Sequence, residues 1–460
     1  MLIERGATKG LTIWDDAEAM IAKAERDDVT TVWNRLNAQR PACTFCKTGL
    51  TCNKCVMGPC RIKADGKRSL GVCGADADLT VARNFGRFVA AGSASHSDHG
   101  RDLLETLEAV ATGEANGYAI RDEAKLARIC GELGIDVAGL DVRAQAAALA
   151  DRLFRDFSSR SGGLAFLPRV PRARRALWEK LGITPRGVDR EVVEMMHRTH
   201  MGVDSDATSL CLHAARTALS DGWGGSMIAT ELSDILFGTP APRRSTVSLG
   251  VLRADQVNIL VHGHSPIVSE MIVAAAKDEA LLAKAREAGA TGINLAGLCC
   301  TGNEVLMRKG IPMAGNHLMT ELAIVTGAAD CMVVDYQCIM PSLVRVASCY
   351  QTKFVSTSDK AHFTGAEHVE FTYKNAKKQA RKVVEMAIEA FTQRDPNKVE
   401  IPGKPVSMLT GFSNEAILGA LGGTPAPLID AIKAGAVRGA AGIVGCNNPR
   451  LKHDYCHVNL

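Results

Sequence analysis

The sequence predicts a multidomain α/β protein. An N-terminal helical, cluster-binding domain is followed by doubly wound parallel-sheet domains, the last of them incomplete. Three observations support this fold class. Apolar residues recur three and four positions apart through the first part of the chain, short apolar runs alternate with amphipathic stretches later, and six cysteines crowd into residues 43–73. With 460 residues, 46% of them hydrophobic, the chain can bury more than one core.

Residues 1–240 are predicted to form the helical domain. The spacing typical of a helix is clearest in four segments, 101–112, 123–133, 143–157 and 191–200. Strand-like runs are scarce in this part of the chain. A turn-rich stretch with prolines at 240 and 242 ends the helical pattern.

Residues 241–400 are predicted to form a middle Rossmann-like domain. Short apolar runs occupy 257–261, 293–298, 331–334 and 353–356. Amphipathic stretches lie between or after them, at 270–288, 341–350 and 374–392. Apolar strands that alternate with helices indicate a parallel sheet covered on both faces.

Residues 401–460 are predicted to begin a second Rossmann-like domain. A proline-rich linker at 395–405 precedes it, and its predicted strands are 406–409 and 442–444. Two strands bury too little apolar surface to be stable alone. The sequence therefore leads us to expect a truncated domain.

Charge and apolar patterning exclude several classes of partner. The 54 Lys and Arg residues nearly balance 50 Asp and Glu, so neither nucleic acid nor an anionic membrane is expected to bind. No apolar run is long enough to span a bilayer, and the N-terminus lacks the features of a secretory signal. We expect a cytoplasmic protein, in which fifteen cysteines stay reduced and favour metal binding over disulfides.

The cysteines between residues 43 and 73 predict an iron-sulfur site. Cys52, Cys55, Cys60 and Cys73 have two, four and twelve residues between them, with Gly and Pro in the intervening loop. Four such thiolates satisfy a 4Fe-4S cluster. A zinc ribbon is the main alternative, although it normally pairs two CxxC knuckles, and independent buried cysteines are a second alternative.

Cys43 and Cys46 form a further CxxC pair. Two thiolates are too few for an iron-sulfur cluster of their own. The resulting hypothesis is a cluster on the twofold axis of a homodimer, with one pair from each subunit. The alternatives are a redox dithiol or cysteines in a disordered N-terminus.

Chemically distinctive residues follow the predicted strands of the middle and last domains. They are His264, Cys300, Cys338 and Cys446. Of the adjacent pair Cys299 and Cys300, we expect only one to face the crevice at the strand ends, because neighbouring side chains of an extended segment point in opposite directions. Ligands of open parallel sheets bind beyond the carboxyl ends of the strands. Thiolates with one imidazole suit iron, zinc or nickel. At any single position, a cysteine packed in the core is the competing interpretation.

Motifs along the whole chain resemble anaerobic nickel-dependent carbon monoxide dehydrogenase. They are CxxCVMGPCRI, GVCGADADLTVARN, SHSDHGRD, SDGWGGSMIATELSDILFGTP, HGHSPIVSE, GLCCTGNEVLMR, CMVVDYQCIMP and GCNNPR, in this order. The resemblance implies oxidation of CO with water to CO2, two protons and two electrons. It further implies a Ni-Fe-S active-site cluster, 4Fe-4S relay clusters and a ferredoxin-like electron acceptor.

The resemblance also implies roles for single residues. His264 and Cys300 would hold the iron outside the cubane, and Cys338 and Cys446 would bind cubane irons. Cys52, Cys55, Cys60 and Cys73 would hold the 4Fe-4S relay cluster. Cys43 and Cys46 would supply half of a subunit-bridging iron-sulfur cluster in a homodimer, of a nuclearity that their CxxC spacing leaves open.

Three further residues are candidates for proton transfer. His96 and His99 lie three residues apart at the start of a helical stretch, so they share one face and could relay protons. A solvated histidine pair is the alternative. The family position of Asp221, in the SDGWGG motif, implies a proton acceptor.

Members of the resembled family continue beyond residue 460, where they supply two more cysteine ligands and an active-site lysine. We therefore expect that this polypeptide alone lacks CO oxidation activity. Two other functions compete with the first. One is a hydroxylamine reductase-type hybrid-cluster enzyme, which would hold no nickel, and the other is a non-catalytic iron-sulfur electron carrier.

Overall fold

The computed structural model describes residues 10–63, 65–158 and 162–460. They form two compact units, one containing residues 10–40 with Phe237–Leu460 and the other containing Pro41–Leu236. The helices are α1 (Asp15–Arg26), α2 (Val32–Ala38), α3 (Thr44–Lys47), α4 (Ala77–Thr112), α5 (Glu123–Glu132), α6 (Val142–Ser158), α7 (Arg172–Leu181), α8 (Val188–Arg198), α9 (Ala207–Ser220), α10 (Ser226–Phe237), α11 (Pro266–Ala275), α12 (Glu279–Glu287), α13 (Cys299–Lys309), α14 (Thr320–Val325), α15 (Ser342–Ala347), α16 (Ala376–Thr392), α17 (Asn414–Ala420), α18 (Ala426–Lys433) and α19 (Tyr455–Asn459). The strands are β1 (Thr51–Cys52), β2 (Cys60–Arg61), β3 (Arg243–Val247), β4 (Val257–Gly263), β5 (Ile293–Leu298), β6 (Met313–Gly315), β7 (Ala329–Val334), β8 (Lys353–Ser356), β9 (Glu367–His368) and β10 (Val406–Thr410).

Helix α4 organises the helical unit. Asp76 caps its N-terminus by accepting a hydrogen bond from the Leu79 N–H, and Gly113 ends it in the left-handed conformation. Helices α6, α8 and α9 pack along its length. Leu103, Leu104 and similar residues of α4 are fully buried there. The four segments predicted as helix from the sequence all coincide with helices of this unit.

An eight-stranded sheet forms the centre of the other unit. Its strand order is β10-β3-β6-β5-β4-β7-β8-β9, and every neighbouring pair is parallel except β10 and β3. On one face, side chains such as Leu260, Leu298 and Val334 share an apolar cluster with α1 and α14. Helices α13 and α16 contact the strands as well. The predicted α/β fold class, with a mostly parallel sheet, is confirmed.

The division into domains at 1–240, 241–400 and 401–460 stays a prediction. Helix α1 and strand β10 both contact other elements of the sheet unit, although the division assigns them to the first and last domains. The strand predicted at 442–444 is wrong, because these residues are irregular and the Val444 side chain is 88% exposed. A three-residue apolar run with no neighbouring strand has no ladder to join.

Among the helices of the described residues, none combines the length and the apolar character that crossing a membrane requires.

Candidate metal centres

All fifteen cysteines of the chain are free thiols. None is paired in a disulfide, although several lie close together in sequence. Free, closely spaced thiols are the donor set that soft transition metals and iron-sulfur clusters require.

The first candidate centre is the relay cavity, lined by Cys52, Cys55, Cys60 and Cys73. The short hairpin of β1 and β2 pairs Cys52 directly with Cys60, which brings together thiols eight residues apart in sequence. A Cβ at Gly58 would lie 3.1 Å from the Cys52 carbonyl oxygen, a tight contact that favours glycine in the loop between the two strands. The four predicted relay ligands therefore face one cavity.

The spacing of these thiols bears on the zinc alternative. A tetrahedral zinc site places its four sulfur atoms about 3.8 Å apart, given Zn–S bonds of about 2.3 Å. Within the described part of the chain, Glu191, Glu194 and His213 form the one group of three or more candidate ligand atoms lying within 4.8 Å of one another. No three of the relay-cavity thiols are that close, a spacing that favours a cubane several atoms wide over a single zinc ion. Metal analysis distinguishes the two.

Polar groups around the relay cavity fit an anionic occupant. The pKa of Cys73 is lowered, chiefly by the Ala75 N–H and also by Arg83, whose guanidinium Nη1 lies 3.9 Å from the Cys73 Sγ. The Arg83 Nε and the Thr80 Oγ1 are buried without a hydrogen-bond partner. Lys54 also lines the cavity. Cations and unsatisfied donors therefore surround the four thiols.

Cys43 and Cys46 lie at the surface, at the start and in the middle of the short helix α3. The pKa of Cys43 is lowered by the Cys46 N–H, then by the Cys46 thiol and the Phe45 N–H. The two thiols are thus close to each other and accessible to a partner. This arrangement fits a pair of ligands that another chain completes.

The second candidate centre is the strand-end site, predicted from His264, Cys300, Cys338 and Cys446. In the sheet, His262 of β4 is level with Leu298 of β5 and with Val334 of β7. The segments that follow these three aligned strands therefore leave the sheet at the same edge. His264, Cys300 and Cys338 lie on them, respectively.

The three cysteines of this site affect one another electrostatically. The pKa of Cys300 is raised to about 11, chiefly by burial and also by the charges of Cys338 and Cys446. The pKa of Cys338 is also raised, by burial and then by Cys446. Crowded thiols resist ionisation unless a cation compensates the charge. The site therefore suits thiolates bound to metal.

Cys446 reaches this neighbourhood without the strand predicted before it. The next residue, Asn447, exchanges hydrogen bonds with Asp454, and the Asp454 carboxylate also accepts from Asn316, just beyond β6. Trp14 donates its indole N–H to the same carboxylate at 2.6 Å. A polar anchor, and not a sheet ladder, therefore holds the Cys446 loop.

Asp335 is a residue of this site that sequence reasoning missed. Its buried carboxylate accepts from the His264 N–H at 2.7 Å, the Ser265 N–H at 3.1 Å and the Thr301 hydroxyl at 2.8 Å. A Cβ at Gly263 would lie 2.3 Å from the Asp335 Oδ1. Burial raises the pKa of Asp335 to about 6. One carboxylate thus connects the turns that carry His264, Cys300 and Cys338.

Two residues predicted for proton transfer contact each other in the helical unit. The His96 Nδ1 lies 2.7 Å from the Asp221 Oδ1, which also accepts from the Ser226 hydroxyl at 2.8 Å. Asp221 begins a π-helical turn, Asp221–Gly225, between α9 and α10. The hydrogen bond to Asp221 raises the pKa of His96. His99 is buried on the same helix, α4, and its assigned role stays a prediction with the rest of the set.

The glutamate–histidine group of the helical unit is not a metal centre. Arg186 donates to both Glu191 and Glu194, and Arg216 also donates to both. His213 lies 3.1 Å from the Glu191 carboxylate. The arginines already compensate the carboxylates, so a further cation would be repelled.

Comparison with known proteins identifies the family. Residues 50–460 match the Prismane/CO dehydrogenase family. Carbon monoxide dehydrogenase 1 of Methanosarcina mazei is 54% identical over 445 residues, which cover 96% of this chain and 71% of that protein. The Ni-free, as-isolated crystal structure of carbon monoxide dehydrogenase from Thermococcus sp. AM4 matches with a TM-score of 0.97 and 48% identity, covering 100% of this chain and 73% of that one.

A second solved structure agrees. Carbon monoxide dehydrogenase IV of Carboxydothermus hydrogenoformans matches with a TM-score of 0.94 and 46% identity, covering 98% of this chain and 72% of that one. These matches confirm the resemblance found in the sequence motifs. The chain belongs to the Prismane/CO dehydrogenase family.

Proposed function

We propose that this chain belongs to an enzyme that oxidises CO with water to CO2, two protons and two electrons, and whose 4Fe-4S clusters pass the electrons to a ferredoxin-like acceptor. That residues 1–460 alone lack this activity stays a prediction. The convergence of Cys300 and Cys338, beyond aligned strands, with Cys446, on a separately anchored loop, carries the proposal in a chain of this family. A Ni-Fe-S cluster, when bound, supplies a soft metal for CO and a Lewis acid that activates water.

Each ligand set has a separate task in this proposal. His264, Cys300, Cys338 and Cys446 hold the active-site cluster, and Asp335 fixes the turns that present the first three. Cys52, Cys55, Cys60 and Cys73 hold the relay 4Fe-4S cluster. The donor types suit nickel and iron, and the buried unsatisfied groups beside the relay cavity suit an anionic cluster.

His96 and Asp221 are proposed to handle the protons. Asp221 orients the imidazole through its Nδ1, and the Nε2 is the nitrogen proposed to take up and release a proton. A histidine whose pKa lies somewhat above its ordinary value can accept a proton near neutral pH and release it to solvent. His99, one helical turn further along α4, is proposed as the next member of the relay.

A homodimer is proposed to complete the cluster of Cys43 and Cys46. An exposed apolar stripe of Val81, Phe85 and Phe88 runs along α4, and Phe88 is 79% exposed. The stripe begins beside Gly49, which follows Cys46 by three residues: a Cβ at Gly49 would lie 3.6 Å from Val81. A second copy would cover the stripe and supply two more thiolates. We place this dimer in the cytoplasm, where its thiols stay reduced.

Metal analysis and CO-dependent reduction test the function. The protein is purified anaerobically from its own host, and iron, nickel and CO-dependent reduction of methyl viologen are measured. The proposal expects all three. Iron without nickel and without a response to CO would contradict it and favour an electron carrier, and reduction of hydroxylamine by nickel-free protein would favour the hybrid-cluster alternative. Colourless, iron-free protein would exclude all three functions.

A further inference from the structure

Arg83 is a buried cation without a carboxylate partner in the described part of the chain. Its side chain lies on α4 and is 2% exposed, and it lines the relay cavity. The guanidinium Nε has no hydrogen-bond partner, and the Nη1 is 3.9 Å from the Cys73 Sγ. The residues that line the cavity include no aspartate or glutamate.

The chemistry of arginine makes this arrangement informative. A guanidinium stays protonated in proteins, so Arg83 cannot escape the cost of burial by losing its charge. An unpaired buried charge is strongly destabilising unless an opposite charge lies nearby. Neutral thiols do not provide one. Four thiolates around a 4Fe-4S core carry a net negative charge that grows by one on reduction, and this anion is the missing partner of Arg83.

Thr80 supports the same conclusion independently of charge. It lies one helical turn before Arg83, is 1% exposed and also lines the cavity. Its hydroxyl is buried without a partner. An O–H group in this place can donate to a cluster sulfur, and hydrogen bonds to sulfur are one of the ways in which a protein sets the potential of a cluster.

Lys54 and Arg61 contribute less by the same reasoning. Lys54 lines the cavity, but burial and the nearby charge of Arg87 lower its pKa. Lys54 can therefore lose its charge more readily than Arg83. Arg61 follows the ligand Cys60 directly, yet its side chain is exposed and stacks on Phe45. Solvent screens the charge of Arg61, whereas that of Arg83 acts through protein.

We propose that Arg83, assisted by Thr80, is a positioning residue that raises the reduction potential of the relay cluster. The inference rests on the proposed function, because it requires a 4Fe-4S cluster on the four cavity cysteines. Reduction adds one electron to an anion that a fixed, buried cation already faces, so the reduced form gains more from Arg83 than the oxidised form. The relay cluster is thereby kept able to accept electrons.

The test is an EPR-monitored redox titration of the purified protein and its variants. The relay signal is defined as the one that Cys55→Ser removes. In Arg83→Gln, the ratio of reduced to oxidised relay cluster at a fixed potential should fall about tenfold, which is about 59 mV for a one-electron couple. Arg83→Lys, which keeps the positive charge, should keep most of the wild-type ratio. Thr80→Val should lower the ratio about two- to threefold.

Arg61→Gln is the matched control, since it removes one positive charge from the same loop where solvent screens it. The control should leave the ratio unchanged. An unchanged potential in Arg83→Gln with full iron content would overturn the inference, as would an equal shift in Arg61→Gln. If Arg83→Gln loses its cluster, the other two variants provide the test. A wild-type potential in Thr80→Val together with a lowered potential in Arg83→Lys would also overturn the inference. Wild-type protein without iron at these cysteines would instead refute the proposed function.

Discussion

The relay cavity and the strand-end site both gather cysteine thiols but place opposite charges beside them. Arg83 lies beside the relay thiols, whereas Asp335 lies among the turns of the strand-end site, where burial first and also the Asp335 charge raise the pKa of Cys300 and Cys338. A buried cation favours the more negative state of a cluster, and a buried carboxylate disfavours it. If the proposed clusters bind, the buried charge beside each set of thiols would bias the redox state of the cluster there.

The two sites also differ in how they are assembled. Cys52, Cys55, Cys60 and Cys73 come from one short segment and a two-stranded hairpin. Cys300, Cys338 and Cys446 are separated by long stretches of sequence. The first two meet because parallel strands end at one edge, and the third is brought to them by the anchored loop of Asn447 and Asp454. Damage to the relay site should therefore remain local, whereas damage to the strand-end site should spread through the sheet unit. The predictions below test this difference, beginning with the largest effect.

Cys300→Ser should abolish CO oxidation by protein purified from its own host, with a loss of at least about 100-fold, because the change removes a proposed ligand of the active-site cluster. The relay EPR signal should remain. Cys55→Ser is the reciprocal variant and should remove the relay signal while nickel stays bound. Activity, nickel content and EPR spectra of the two variants provide the measurement. Loss of both centres in Cys300→Ser would show that the two sites do not assemble independently.

Asp335→Ala should destabilise the sheet unit by about 3 kcal/mol, because it leaves the His264 N–H, the Ser265 N–H and the Thr301 hydroxyl without their acceptor. Asp335→Asn, which keeps one carbonyl oxygen, should cost less than half as much. Urea unfolding of the metal-free protein measures both. Equal stability of the alanine variant and the wild type would contradict the role given to this carboxylate.

Gly263→Ala should cost about 2 kcal/mol, since the new Cβ would overlap the Asp335 carboxylate and the residue has a φ of +133°. Gly289 is a suitable control, because its φ is +93° but no atom lies within 4 Å of a Cβ placed there. Gly289→Ala should cost about 1 kcal/mol, from the backbone conformation alone. Urea unfolding that gave the two variants the same stability would show that Asp335 can move away.

Asp221→Asn should return the pKa of His96 toward its ordinary value, because the hydrogen bond to Asp221 is the main cause of the increase. A histidine pKa that folding raises contributes stability below the unfolded value, and this contribution is lost as pH rises through the folded value. The wild type should therefore lose a little stability from about pH 6.5 upward, and the variant should lose less. The measurement is unfolding against pH, with His200→Gln, at an exposed histidine, as the control. The same slope in Asp221→Asn and the wild type would exclude this coupling.

The sequence predicted the parts of the sites that depend on local spacing or on strand order. The relay cysteines follow from spacing, and the grouping of His264, Cys300 and Cys338 follows from their places after predicted strands. Cys446 was also placed in the group, but through a strand that does not form. Its loop depends on Asn447 and Asp454, whose pairing leaves no periodic pattern in the sequence.

The sequence by itself determined the donor chemistry, because the residue types and their spacing decide which metals can bind. Tertiary structure alone decided the charge around each site. Arg83 is an ordinary helix residue until α4 packs beside the cysteine hairpin, and Asp335 is an ordinary strand-end residue until it meets a turn 71 positions earlier. The strength of a buried charge depends on distance and on the exclusion of water, and folding sets both.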